Sequence, residues 1–232
     1  MVIEARGLRS AGGLFMFSPM SLASTYTRGE EIANSLTHGL GLLLSIAGLS
    51  VLVTFAAMRS DAWTVVGCSV FGATLVVLYT TSTLYHSLTS PRAKQLLRVL
   101  DHGAIFLLIA GTYTPFTLVN LRGPWGWSLF GVVWGLAVTG VILKLFFTGR
   151  FRLVSTLIYL FMGWIVLIAV KPLFGTLPRA GFVFLFTGGA AYSAGTLFYL
   201  WKRLPYHHAV WHLFVLAGSV CHFFAVFCSV VP

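Results

Sequence analysis

Charge is what this 232-residue sequence has least of: 9% of its residues are charged, and only five are acidic. A soluble domain carries about a quarter charged residues, so a water-facing surface is excluded and the surrounding solvent is largely lipid. Cysteine is scarcer still. Cys68, Cys221 and Cys228 form no CxxC pair, are odd in number and lie in apolar runs, and they read as small packing residues. No internal repeat and no soluble domain is visible. The formal charge of +10 therefore marks no nucleic-acid partner; in a lipid-embedded chain the placement of Lys and Arg reports orientation.

What the sequence has in abundance is apolar length. A bilayer core about 30 Å thick needs about 20 apolar residues per helix. Runs of that order cover about Ile32–Ala57, Trp63–Leu84, Val99–Val119, Trp125–Phe147, Leu153–Val170, Gly181–Leu200 and Val210–Val230. The expectation is an all-α membrane protein, a bundle of seven transmembrane helices. Of fifteen Lys and Arg, eleven fall on one side, among them Arg28, Arg98, Lys144, Arg152 and Lys202. Arg59, Arg122, Lys171 and Arg179 fall on the other. The positive-inside rule then puts the N-terminus in the cytoplasm and the C-terminus outside. Residues 1–28 read as a cytoplasmic arm and 29–232 as the transmembrane domain. The stretch "LFMFSPMSLAS" loosely imitates a signal peptide, but Pro19 breaks it, and Met16 or Met20 is a candidate start. Pro115 in "GTYTPF" is expected to bend the third span. In "TGGAAYSAG", Gly189 and Ser193 are expected to let a neighbouring backbone approach closely.

Drawn on this topology, the polar residues converge. Glu30, Glu31, Asn34 and His38 open the first span, Ser82 and His86 close the second, Asp101 and His102 open the third, and "YHHAVWH" opens the seventh. Ionisable residues inside a membrane are functional by default. His208 and His212 are four apart and share a helix face, a spacing that lets two imidazoles bind one metal. His86 could supply a third nitrogen, with Ser82 one turn deeper on the same face. Three histidines and one open position describe a catalytic Zn²⁺ site. Asp101 could orient a histidine or accept a proton from water at the open position. His207 points about 100° away from His208 and reads as a headgroup contact. His102 is left out, though it could stand in for a misassigned ligand. His222, about 15 Å deeper than His212, is expected to bond to a neighbouring helix. Asn34 and His38 either line the site or tie the first helix to the bundle. Glu30 and Glu31 are assigned to the helix dipole.

The segments "NSLTHGLG", "STLYHS", "LDHGAIFLLIAGTYTPF" and "HAVWHLFVLAGSVCHF" resemble the hemolysin III family, the bacterial branch of the progestin and adipoQ receptor family that includes the adiponectin receptors. The resemblance covers about residues 28–230. The Ser-x3-His, Asp and His-x3-His pattern more distantly resembles the superfamily of alkaline ceramidases. It implies seven helices and a zinc ion near the cytoplasmic face held by His86, His208 and His212, with Asp101 holding water and Ser82 as the superfamily's serine. The long soluble N-terminal region of the animal receptors is missing, so no protein-hormone partner is implied.

The resulting expectation is a zinc-dependent hydrolase of a lipid amide or ester in the bacterial inner membrane, with a membrane lipid as substrate or ligand and no nucleic acid. The alternatives are a non-enzymatic membrane sensor or regulator with a structural zinc, and a channel-forming or lytic protein. No charged ring or amphipathic pore-forming segment favours the last.

Overall fold

A computed structural model describes residues 26–231, so the arm expected at 1–28 lies outside the described residues except for Tyr26, Thr27 and Arg28. Its helices are α1 (Arg28–Arg59), α2 (Ala62–Ser87), α3 (Pro91–Pro115), α4 (Pro124–Phe147), α5 (Arg152–Trp164), α6 (Val170–Thr176), α7 (Arg179–Leu200) and α8 (His207–Val230). A π-helical turn, Phe116–Asn120, prolongs α3, and a 3-10 segment, Ile165–Ala169, joins α5 to α6. Among the described residues, seven helical spans long and apolar enough to cross a bilayer result. The fifth runs to Thr176, past the expected end at Val170, and so carries Lys171 within its final helix.

Local chemistry fixes the helix starts. Thr27 and Glu30 form a capping box at α1: the Thr27 hydroxyl accepts the Glu30 N–H, and the Glu30 carboxylate accepts the Thr27 N–H at 2.8 Å. Asp61 caps α2 by accepting the Thr64 N–H, and it meets Arg122 at 2.6 Å across the outer face. That guanidinium holds the Asp61 carboxyl at about 2, below the usual carboxylate range. Pro91 and Pro124 occupy first-turn positions, where a missing N–H costs nothing.

The outward faces are those of a lipid-solvated bundle: Leu36, Leu43, Phe146, Phe161 and Phe174 are all exposed. The interior is built around α3, which packs between α2 and α4. Gly111 lets it approach α2, because a Cβ there would lie 2.1 Å from the Thr74 hydroxyl. Between α7 and α8 the close approach falls on a different face from the one expected. Gly188 has no room for a side chain against His222 and the Gly218 carbonyl, whereas a Cβ on Gly189 would only touch the Trp164 ring at 3.7 Å. Gly181, Gly188 and Gly195, seven apart, form the buried seam, and Ser193 instead accepts the Trp164 indole N–H at 2.9 Å.

Two spans are broken, and each break is hydrogen-bonded. Pro115 ends the regular part of α3 and the chain continues in the π-helical turn, with Leu121 N–H reaching back five residues to the Phe116 carbonyl. In the fifth span the 3-10 segment is anchored by one side chain. The Tyr113 hydroxyl faces the Met162 and Gly163 carbonyls at 2.9 and 2.8 Å and accepts the Val166 N–H at 2.8 Å. In hydrocarbon, backbone groups freed by a break need such partners. Tyr113→Phe is expected to cost about 1–3 kcal/mol, read as a lower midpoint of thermal unfolding in detergent; an unchanged midpoint would contradict this role.

Candidate metal centre

Three helix ends build the centre at the cytoplasmic level. α2 delivers His86 in its last turn, α1 delivers Glu31, Asn34 and His38, and α8 delivers His208 and His212 within its first two turns. α8 starts abruptly because Tyr206 adopts a left-handed backbone (φ 55°) and its N–H is taken by Glu30 at 3.2 Å. Glu30 thus joins the start of α8 to the cap of α1.

His86, His208 and His212 are buried, and one ring nitrogen from each lies within 4.8 Å of the others. Their ring centroids stand 5.1, 5.2 and 4.5 Å apart for the pairs 86–208, 86–212 and 208–212. Hydrogen bonds determine which nitrogens face inward. His86 Nδ1 lies 2.6 Å from Glu31 Oε2, and a carboxylate accepts, so Nδ1 carries the proton and Nε2 is left with a free lone pair. His212 Nδ1 lies 3.2 Å from the Asn34 carbonyl, which also only accepts, so the same tautomer follows. Among the described residues, His86 Nε2, His212 Nε2 and both nitrogens of His208 have no hydrogen-bond partner, and they are buried. A buried polar atom without a partner costs about 1–3 kcal/mol. One such nitrogen from each ring faces the other two, and a cation taken up by these three lone pairs would satisfy them together. The donor set, three neutral imidazoles, suits Zn²⁺.

Around the triad lies a shell that sequence reasoning read only in part. Glu31, assigned to the helix dipole, instead bonds His86 through one oxygen and Lys94 through the other at 2.7 Å. It shares a helix stripe with Asn34 and His38, three and seven residues on, and that spacing was the available signal. Asn34 does both things expected of it: it is buried between the helices, and its amide stands 3.4 Å from His86 Nδ1. Turning that amide over would place its unpartnered Oδ1 on the same N–H. His38 stacks on His212 with centroids 3.4 Å apart and meets Tyr79 edge-on. Tyr26 covers the cluster from the cytoplasmic side, 4.9 Å from the His208 ring; nothing in its sequence neighbourhood marked it.

Asp101 and Ser82 are both buried beside the triad. Asp101 lies within electrostatic reach of His86, and the Ser82 hydroxyl stands beside its carboxylate, though not in the geometry of an ordinary hydrogen bond. His102 stays out: its Nδ1 bonds the Arg98 carbonyl at 2.8 Å within its own helix. His207 is not a headgroup contact. It is buried, with Nδ1 on the Phe198 carbonyl at 3.1 Å, because the chain between α7 and α8 folds back under the end of α7. His222 bonds the Leu185 carbonyl at 3.1 Å and ties α8 to α7.

From Asp101 and His38 an apolar cavity of about 160 Å³ runs between α3, α5 and α7 toward Tyr113 and Leu121. A polar cluster of metal-ligating side chains thus stands at one end of an apolar cavity within the bundle. The family model for haemolysin-III-related proteins matches residues 26–223. The chain belongs to this family. It is 52% identical over 209 residues to the "Hemolysin-3 homolog" of Bacillus subtilis, covering 89% of this chain and 98% of that one. It is 50% identical over 203 residues to "Hemolysin-3" of Bacillus cereus, covering 88% and 93%. A more distant likeness, 26% over 203 residues, covers 85% of this chain and 83% of the human "Monocyte to macrophage differentiation factor". The matched region of this haemolysin-III-related membrane protein includes the three histidines, Asp101 and Ser82.

Glu31→Gln weakens the acceptor that orients His86. It is expected to lower retention of a bound metal about 10–100-fold, measured by metal analysis after titration with a chelator. Retention equal to that of the unaltered protein would remove Glu31 from the centre.

Proposed function

We propose that the protein is a zinc-dependent hydrolase acting on the amide or ester bond of a membrane lipid, in the bacterial inner membrane. What carries the reading is three buried imidazoles with free lone pairs beside a carboxylate and a serine hydroxyl, at the end of an apolar cavity. A zinc ion bound by His86, His208 and His212 would supply Lewis acidity and lower the pKa of water to about 7. The chain's own groups carry out the remaining tasks. The cavity takes the acyl chain and brings the scissile carbonyl to the level of Asp101. Asp101 accepts the proton of the attacking water as its oxygen bonds to the carbonyl carbon. It returns that proton to the leaving nitrogen or oxygen as the C–N or C–O bond breaks. Ser82 donates its hydroxyl to the oxygen on which negative charge develops. Glu31 and the Asn34 carbonyl hold the imidazoles in the required tautomer.

A second reading is a non-enzymatic membrane sensor or regulator in which zinc is structural. It is favoured by the same triad's position, since His86 on α2 and the pair on α8 would be stapled together with α1 packed behind them. A lytic or channel role, which the relatives' names suggest, has less support because the walls of the cavity are mainly apolar.

Two variants separate the first two readings. Asp101→Asn keeps the shape and the metal ligands; as a hydrolase the protein should lose about 10²–10⁴-fold in turnover of lipid amides or esters with its zinc content unchanged. His208→Ala should lose both zinc and thermal stability under either reading. Full hydrolysis by Asp101→Asn, or no hydrolysis by the zinc-loaded unaltered protein across a broad lipid panel, would contradict the enzymatic reading.

A further inference from the structure

The cavity that ends at Asp101 also has a cationic mouth. Arg98 on α3, Lys144 on α4, Arg152 on α5 and Lys202 after α7 stand at the cytoplasmic ends of their helices. None of the ion pairs among the described residues includes any of the four. Lys144 is the most unusual. It is 5% exposed, its Nζ donates to the Ser155 hydroxyl at 2.6 Å, and it lies 5.9 Å from the centre of the Tyr159 ring. A neutral hydroxyl and an aromatic face only partly offset the loss of hydration of a buried ammonium, and although Asp101 lines the same cavity, no carboxylate among the described residues pairs directly with Lys144. Arg152 lies over the Tyr199 ring at 5.5 Å. Tyr159 and Tyr199 both line the cavity together with Asp101, so the cations stand beside its rim. Arg98, Lys144 and Arg152 also share one neighbour, lying together within electrostatic reach of His102.

We propose that this rim is a subsite for the phosphate of a phosphate-bearing lipid, with Arg98 and Arg152 on its outer oxygens, Lys144 on its inner side and the acyl chain in the cavity. Planar guanidiniums from two helices suit a group with several acceptor oxygens. The apolar cavity directly beyond them favours a lipid over the free anion. This deepens the hydrolase reading by naming its substrate class, and it rests on that reading for the substrate role alone.

The test is binding, which needs no turnover. The full chain in phosphatidylcholine nanodiscs is titrated with a lysophosphatidate, with a monoacylglycerol of the same acyl chain, and with inorganic phosphate. The lysophosphatidate should bind about 10-fold or more tightly than the monoacylglycerol, and inorganic phosphate should compete poorly. Arg98→Gln and Arg152→Gln, made singly so that each chain stays folded by its melting curve, should each reduce that preference about 3-fold or more. The corresponding Lys variants should retain most of it. Arg92→Gln, which removes an exposed cytoplasmic charge elsewhere, should leave it unchanged. Equal binding of the two lipids, equal competition by inorganic phosphate, or an equal loss in Arg92→Gln would overturn the proposal. A surviving headgroup preference in a protein without hydrolase activity would reject the enzymatic reading and keep the subsite. Hydrolysis without the preference would do the reverse.

Discussion

A lone pair on a buried nitrogen needs a partner, and in a membrane interior there is no water to provide one. This constraint governs the cytoplasmic half of the bundle. His86, His208 and His212 each bring one ring nitrogen to a shared space, and among the described residues no protein atom satisfies these three. α1, α2 and α8 hold them there through the capping of α1, the left-handed residue that starts α8, and the bonds from Glu31 and Asn34.

The second level of organisation is the line from Lys94 through Glu31 to His86. A carboxylate with one oxygen on an ammonium remains a strong acceptor for the imidazole N–H, and this fixes which nitrogen of His86 points inward. The Asn34 carbonyl does the same for His212. The polar residues of α1 therefore meet the triad at the Nδ1 atoms of His86 and His212. On the far side, Asp101 lines the cavity with Ser82 buried close to it, so the carboxylate stands between the imidazole triad and the apolar space.

Much of this arrangement was legible in the sequence. Seven apolar runs and the bias of Lys and Arg gave the topology, because lipid leaves helices as the economical solution and the charge bias orients them. His86, His208 and His212 could be grouped because i,i+4 spacing and helix direction together determine depth. Contacts that depend on helix rotation were less accessible. Glu31 looked like a helix-dipole residue because its position in the first turn explains a carboxylate equally well. His207 looked outward because the fold-back between α7 and α8 leaves no local signal. The α7 seam was placed on Gly189 and not Gly188, one residue off, because a glycine-rich run offers several faces and composition does not choose among them. Tyr26 had no periodic pattern to place it over the cluster.

The proposed centre stands or falls on three imidazoles from α2 and α8 holding one zinc ion. X-ray absorption at the zinc edge, on protein purified without added metal, tests it most directly. The account predicts about one zinc per chain with three nitrogen neighbours at about 2.0–2.1 Å and a further light-atom ligand, with the signal lost in His212→Ala. A purified protein that binds no zinc, or a zinc signal that His212→Ala leaves unchanged, would contradict it.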